Sequence, residues 1–141
     1  MTREQNLAAQ SVGGEIAVSH DYGRFDEVMA RDVVDHDRAD TQGPGVEGIE
    51  EYWRGLGESF PDFKLDVDVI LADDDYVTLV YRLSGTHTGC FMGHAPTGKR
   101  FEVRSLQLGR FEDGLMVERW GATDTLGILT QLGLESDRKV P

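Results

Sequence analysis

The hydrophobic period of the chain changes at Pro61, and this switch constrains the fold more than any other single feature. Before it, Val46, Ile49, Tyr52, Trp53, Leu56 and Phe60 recur three or four residues apart, the stripe of an amphipathic helix. That helix begins near Val46 and stops at Pro61, whose ring cannot continue the helical hydrogen bonding. After it, Phe63, Leu65, Val67 and Val69 alternate with Lys64, Asp66 and Asp68, the period of a half-buried strand. Three further strands are predicted over positions 76–87, 99–111 and 115–123. They are separated by an Asp-rich turn at 73–75, a loop with Gly and Pro at 89–98, and the Glu112-Asp113-Gly114 turn of a hairpin.

Upstream, Leu7, Val12, Ile16 and Ala17 place a helix over residues 2–19, although Gly13 and Gly14 in its middle each cost about 1 kcal/mol relative to Ala. A short helix at 22–29, a short strand at 32–37 and a loop at Gly43-Pro44-Gly45 complete the N-terminal half. Helices first and a run of antiparallel strands after them give an α+β class with helices on one face of the sheet. A sheet this long curls. Curled around the stripe of the third helix, it offers a concave pocket lined by side chains of one parity along each strand. With no repeat, linker or low-complexity tract, residues 1–141 are read as one domain, a length that buries a full core.

The net charge of −12 opposes binding to a phosphate backbone or an anionic membrane surface, so neither nucleic acid nor membrane is an expected partner. No stretch of about 18 apolar residues could span a bilayer, and the N-terminus lacks the apolar core of a signal peptide. The single cysteine, Cys90, forms no internal disulfide and supports no Cys-rich zinc site. A cytoplasmic protein is expected, with a neutral, hydrophobic small molecule as its ligand.

A set of short marks carries a resemblance. They are Phe60-Pro61-Asp62-Phe63, Gly85-Thr86-His87-Thr88-Gly89, Pro96-Thr97-Gly98, Arg110-Phe111 with Asp113-Gly114, and Trp120 to Asp124 followed by Leu126-Gly127-Ile128-Leu129-Thr130-Gln131-Leu132-Gly133. In this order, over nearly the whole chain, they resemble the SnoaL-like polyketide cyclases of the nuclear transport factor and ketosteroid isomerase cone-fold superfamily. The resemblance implies a cone-shaped curved sheet wrapped around N-terminal helices, and an intramolecular aldol ring closure run without metal or organic cofactor. It also implies a general acid/base carboxylate at the end of the last strand, which by position is Asp124. Burial in an apolar pocket is what would bring such a carboxylate into use. Those cyclases tend to carry a histidine on the third long strand, where this chain has Gln107.

Other residue expectations follow from parity. Trp120 is placed on the pocket floor, with plain core packing as the alternative. His36 is a candidate pocket histidine or a surface one; Asp35, His36 and Asp37 alternate across a strand and do not converge on a metal. Trp53, Phe60, Tyr81, Phe91 and Met92 are candidates for the pocket wall and its lid, with helix-to-sheet core as the alternative for Trp53 and Phe60, while His87 and His94 lie in or beside the Gly-rich loop and His87 braces its turn. For Asp124 the alternative role is the N-cap of a short C-terminal helix. Arg82 and Arg104 belong on the outer sheet face beside acids such as Glu102, and an outer face this long suggests a homodimer.

Two function classes result. One is an acid/base enzyme acting on a hydrophobic, carbonyl-rich, polyketide-like molecule through Asp124. The other is a small-ligand-binding protein of the same fold without catalysis, with a polyketide hydroxylase-like member as a variant of the first.

Overall fold

Residues 2–134 are described by the computed structural model, whose element order is α1 (Arg3–Ser19), a 3-10 turn (Tyr22–Glu27), β1 (Met29–Asp35), α2 (Gly45–Ser59), β2 (Lys64–Ala72), β3 (Tyr76–Thr86), β4 (Arg100–Glu112), β5 (Leu115–Thr123) and α3 (Thr125–Gln131). The α+β expectation holds: five strands form one curved, unclosed sheet in the order β1-β5-β4-β3-β2, with the helices against it. The first strand was expected at 32–37 and begins earlier, at Met29; the expected helix before it is a 3-10 turn. β1 runs parallel to β5, whereas β2 to β5 pair antiparallel.

Local chemistry explains the element ends. Thr2 and Gln5 form a reciprocal capping box that starts α1. The hairpin between β4 and β5 turns on Asp113 and Gly114, both with positive φ, the backbone that a two-residue turn of the right twist requires. Asp62, just past Pro61, accepts hydrogen bonds from the Thr86 amide and hydroxyl, each at 2.7 Å, and so ties the end of α2 to the end of β3. The Thr86 hydroxyl holds the Asp62 carboxyl below its usual range. His87 is fully buried, and its Nδ1 accepts from the Thr97 amide at 3.1 Å, which pins the long β3–β4 loop to the sheet. The expected bracing role of His87 is therefore the one the structure gives it.

The core lies between the concave sheet face and the helices. Along β4 the odd-numbered residues Phe101, Val103, Ser105, Gln107, Gly109 and Phe111 are buried, the alternation of a sheet with one covered face. Arg82, of opposite parity to Tyr81, lies outside and pairs with Asp68 and Glu102, as expected; Arg104 shares that outer parity. A bulge between β4 and β5 pairs Phe111 with Met116 but Arg110 with Glu118, leaving Val117 as an extra residue. From that point Met116 and Arg119 both point inward although their numbers differ in parity.

Candidate active site in the cone

Two adjoining chambers on the concave side meet at Trp53. The larger, about 450 Å³, lies between α1 and the sheet and is mostly apolar, with Phe25, Leu79, Phe111 and Met116 in its walls. Its size falls in the range of roughly 300–1,000 Å³ found for small-molecule sites. Gln10, Ser11, Glu15, Tyr81 and Gln107 are the residues with polar side-chain groups in its lining. The smaller chamber, about 270 Å³, is polar and is lined by Asp35, Asp37, Tyr52, Arg119, Gly121 and Thr123 among others. Trp53, on α2, borders both.

A hydrogen-bonded chain joins the two. Asp35 on β1 is paired across the parallel ladder with Arg119 on β5, and their side chains meet inside: Arg119 Nη1 donates to Asp35 Oδ1 at 2.9 Å. The Asp35 side chain is 3% exposed and that of Arg119 14%. Asp35 also accepts from Gln42 Nε2 at 2.9 Å and from the Asp37 amide at 3.0 Å, so the buried charge is paired and solvated by fixed donors. Arg119 Nε in turn donates to Gln107 Oε1 at 2.9 Å. This fixes the amide: its oxygen faces the guanidinium, and its nitrogen, which donates to Gln10 Oε1 at 3.3 Å, faces the apolar chamber.

Gly121, two residues on from Arg119, leaves room for the guanidinium, because a Cβ there would collide with Arg119 Nη2. Burial pushes the Tyr52 phenol up, nearby Tyr81 adds to the rise, and the Arg119 cation and the Thr123 hydroxyl oppose it. Tyr52 therefore stays a neutral donor in the polar chamber at physiological pH.

Comparison with known proteins now bears on this geometry. The model of the SnoaL-like polyketide cyclases matches residues 9–132. The chain belongs to the SnoaL-like polyketide cyclase family. IdmH from Streptomyces antibioticus, named as a candidate polyketide cyclase, is 32% identical over 92% of this chain and 99% of its own, with a TM-score of 0.81. AclR from Streptomyces galilaeus, named as a candidate hydroxylase, is 26% identical over 94% of this chain and 98% of its own, with a TM-score of 0.81. TsrD from Streptomyces laurentii, at 22% identity over 96% of this chain and 99% of its own, shares the fold with a TM-score of 0.87. No curated protein matches the chain.

Set against what the SnoaL-like resemblance implied, the site residues separate. Trp53, Tyr81 and Gln107 line the apolar chamber. Phe91 and Met92 line a neighbouring cleft of about 730 Å³ that also takes in Tyr52, Leu83 and Thr123. Phe60 is fully buried against Phe91 and Phe101 and belongs to the core. Trp120 does not floor the pocket: it faces outward, opposite in parity to Arg119 and Gly121, and stacks on His36 with ring centroids 4.6 Å apart. His36 is accordingly a surface histidine, 2.8 Å from Glu118. The parity expectation for Trp120 was counted from Asp124, which lies beyond the end of β5, where alternation no longer applies. Asp124 itself is exposed, lines neither chamber, and accepts the Gly127 amide at 2.8 Å as the N-cap of α3.

Asp35 and Arg119 were not singled out from sequence. Asp35 had a signal: it shares parity with buried Val33 in a β-branched run, so a charge falls on a core position. Arg119 had none, since only the bulge at Val117 turns it inward.

Proposed function

We propose that this protein is a cofactor-independent acid/base enzyme acting on a hydrophobic, carbonyl-bearing small molecule of polyketide type, bound in the apolar chamber. The observation that supports it most is the fixed chain Gln107–Arg119–Asp35, which brings a polarised amide donor to the wall of a mostly apolar cavity and backs it with a buried charge pair. In a ring closure, the activated carbon loses its proton, the resulting enolate carbon bonds to a second carbonyl carbon, and that carbonyl oxygen takes a proton. The Gln107 N–H, held by the Arg119 cation, suits the oxygen on which negative charge develops. Asp35 and the Tyr52 hydroxyl line the polar chamber beyond Trp53, and they suit the proton transfers for a substrate whose carbonyl-bearing end reaches past Trp53 into that chamber, where it takes the place of Gln42 on Asp35 Oδ2. Asp35 thus takes the role expected of Asp124, whose carboxylate is engaged at the head of α3.

The test begins with a thermal-shift screen against anthraquinone precursors and related β-dicarbonyl esters, with mass spectrometry of each stabilising mixture. For a compound that is turned over, Asp35→Asn and Arg119→Lys reduce kcat by at least 100-fold with the circular dichroism spectrum retained, and Asp124→Asn leaves it within a few fold. The reverse pattern returns the acid/base role to Asp124. A second reading has its own support: the Asp35 carboxylate accepts three hydrogen bonds within the protein, which also suits a purely structural pair in a non-catalytic binding protein. Stabilisation by a ligand that is recovered unchanged selects that reading.

We also propose a homodimer through the outer sheet face. Val69, Leu71 and Leu106 are exposed there, beside the Arg82 ion pairs. A monomeric mass by light scattering at micromolar concentration overturns this. The strong negative charge argues against nucleic acid as a partner, no described helix is long and apolar enough to cross a membrane, and the cytoplasm is the proposed location.

A further inference from the structure

α1 carries two consecutive glycines, Gly13 and Gly14, well inside its 17 residues. Glycine in a helix interior lowers stability because its backbone loses the most freedom on folding and no side chain returns any packing. Most such glycines are explained by crowding. In α2 a Cβ at Gly48 would run into the Gly43 carbonyl and one at Gly57 into the Tyr22 hydroxyl, whereas Gly55 is uncrowded and lines the neighbouring cleft with Phe91 and Met92. Neither α1 glycine is crowded: a Cβ at Gly13 would meet Val28 Cγ2 at an ordinary 3.8 Å, and one at Gly14 would meet no described atom within 4 Å. Their φ angles are not positive, so no special backbone conformation requires them. What the two share is a place in the wall of the apolar chamber, beside Ala9 and Ala17 on the same helix and across from Val67 and Ile70 at the sheet.

We propose that Gly13 and Gly14 set the size limit of the chamber: the bound molecule lies against the bare backbone of α1, and a side chain at position 14 excludes it. Helix stability is given up so that the space remains open. This inference rests on the proposal that the apolar chamber is the ligand site, and the experiment separates the two.

The full-length protein and its variants are titrated with 1,8-dihydroxyanthraquinone, a neutral fluorescent tricycle, and melted in parallel. Gly14→Leu projects a side chain from the helix side of the chamber, and Val67→Trp narrows it from the sheet side at a half-exposed position that leaves α1 intact. Expected are a loss of at least tenfold in affinity for both, and a melting temperature for Gly14→Leu at or above that of the wild type. Gly14→Ala gives the graded form, a smaller loss of affinity with a rise of about 3 °C. If Val67→Trp loses binding and Gly14→Leu does not, the size limit is overturned while the chamber stands. If neither changes affinity, or the wild type does not bind the tricycle, the chamber fails as the ligand site and the inference with it. A Gly14→Ala variant that melts below the wild type overturns the claim that the glycines are kept against helix stability.

Discussion

Two side-chain pairs formed by neighbouring residues link the end of β1 to β5, and they sit in opposite surroundings. Asp35 and Arg119 face the cone, 2.9 Å apart and nearly sealed from solvent. One residue after Asp35 and one residue before Arg119, His36 and Glu118 face outward, 2.8 Å apart, with Arg110 on the other carboxylate oxygen and 39% of the His36 side chain exposed. Similar distances hide different physics. The inner pair lost its water and is held by Gln42, Gln107 and the Asp37 amide, so removing either partner strands a buried charge. The outer pair can return to water at little cost. The same contrast explains why the inner pair is the one with chemical potential: a fixed charge beside an apolar cavity acts with little screening.

The largest expected effect breaks the inner pair. Asp35→Ala costs about 3–5 kcal/mol in urea denaturation, several times the loss expected for Glu118→Ala. Equal losses would mean that water reaches Asp35 and that the contrast is wrong. Next is Gly121→Ala, whose methyl displaces the Arg119 guanidinium and costs roughly 1–3 kcal/mol. A double-mutant cycle sharpens this: once Gly121→Ala is present, adding Arg119→Ala changes stability far less than it does in the wild type. Third, Asp124→Ala removes the N-cap of α3 and costs about 1 kcal/mol, while Asp124→Ser keeps most of the stability. If Asp124→Ser behaves like Ala, the cap is not what the carboxylate contributes.

The smallest effect concerns pH. Hydrogen bonds from His36 and then Arg110 hold the Glu118 carboxyl below its usual range. Its folded value lies below its unfolded one, so the stability it contributes is fully present above the unfolded value and is lost as pH falls through the lowered folded value. The stability difference between wild type and Glu118→Gln should therefore be flat near neutrality, shrink under acid conditions, and weaken further in added salt. A difference that instead grows as pH falls would assign the opposite sign to the pair.

The motifs that carried the resemblance turn out to be braces. Asp62 of the first mark fastens Thr86 of the second, His87 fastens Thr97 of the third, and Asp113-Gly114 makes the hairpin. They were visible in sequence because turns, caps and close approaches demand particular residue types at fixed offsets. Of the pocket residues, Trp53 and Tyr81 were found by helical spacing and alternation, which hold wherever an element is regular, and Gln107 through the family resemblance. Of the two places left open for His36 the structure takes the surface one, while Trp120 was misplaced and Arg119 missed where regularity ends: past the last residue of β5 and at the Val117 bulge. Parity carries no information across such a break.

By itself the sequence determined the helix and strand order, the switch of period at Pro61, the hairpin and the outward acid–arginine face. These depend on residue types within a few positions of one another, where local sterics and periodic burial suffice. Only the tertiary structure decided that Asp35, from an edge strand laid parallel to β5, meets Arg119 some 84 positions away, and that Gln107 is oriented by that meeting. Such a site is set by strand pairing and by one extra residue in a ladder. Both are settled when the sheet curves around its core, and neither leaves a mark in local composition.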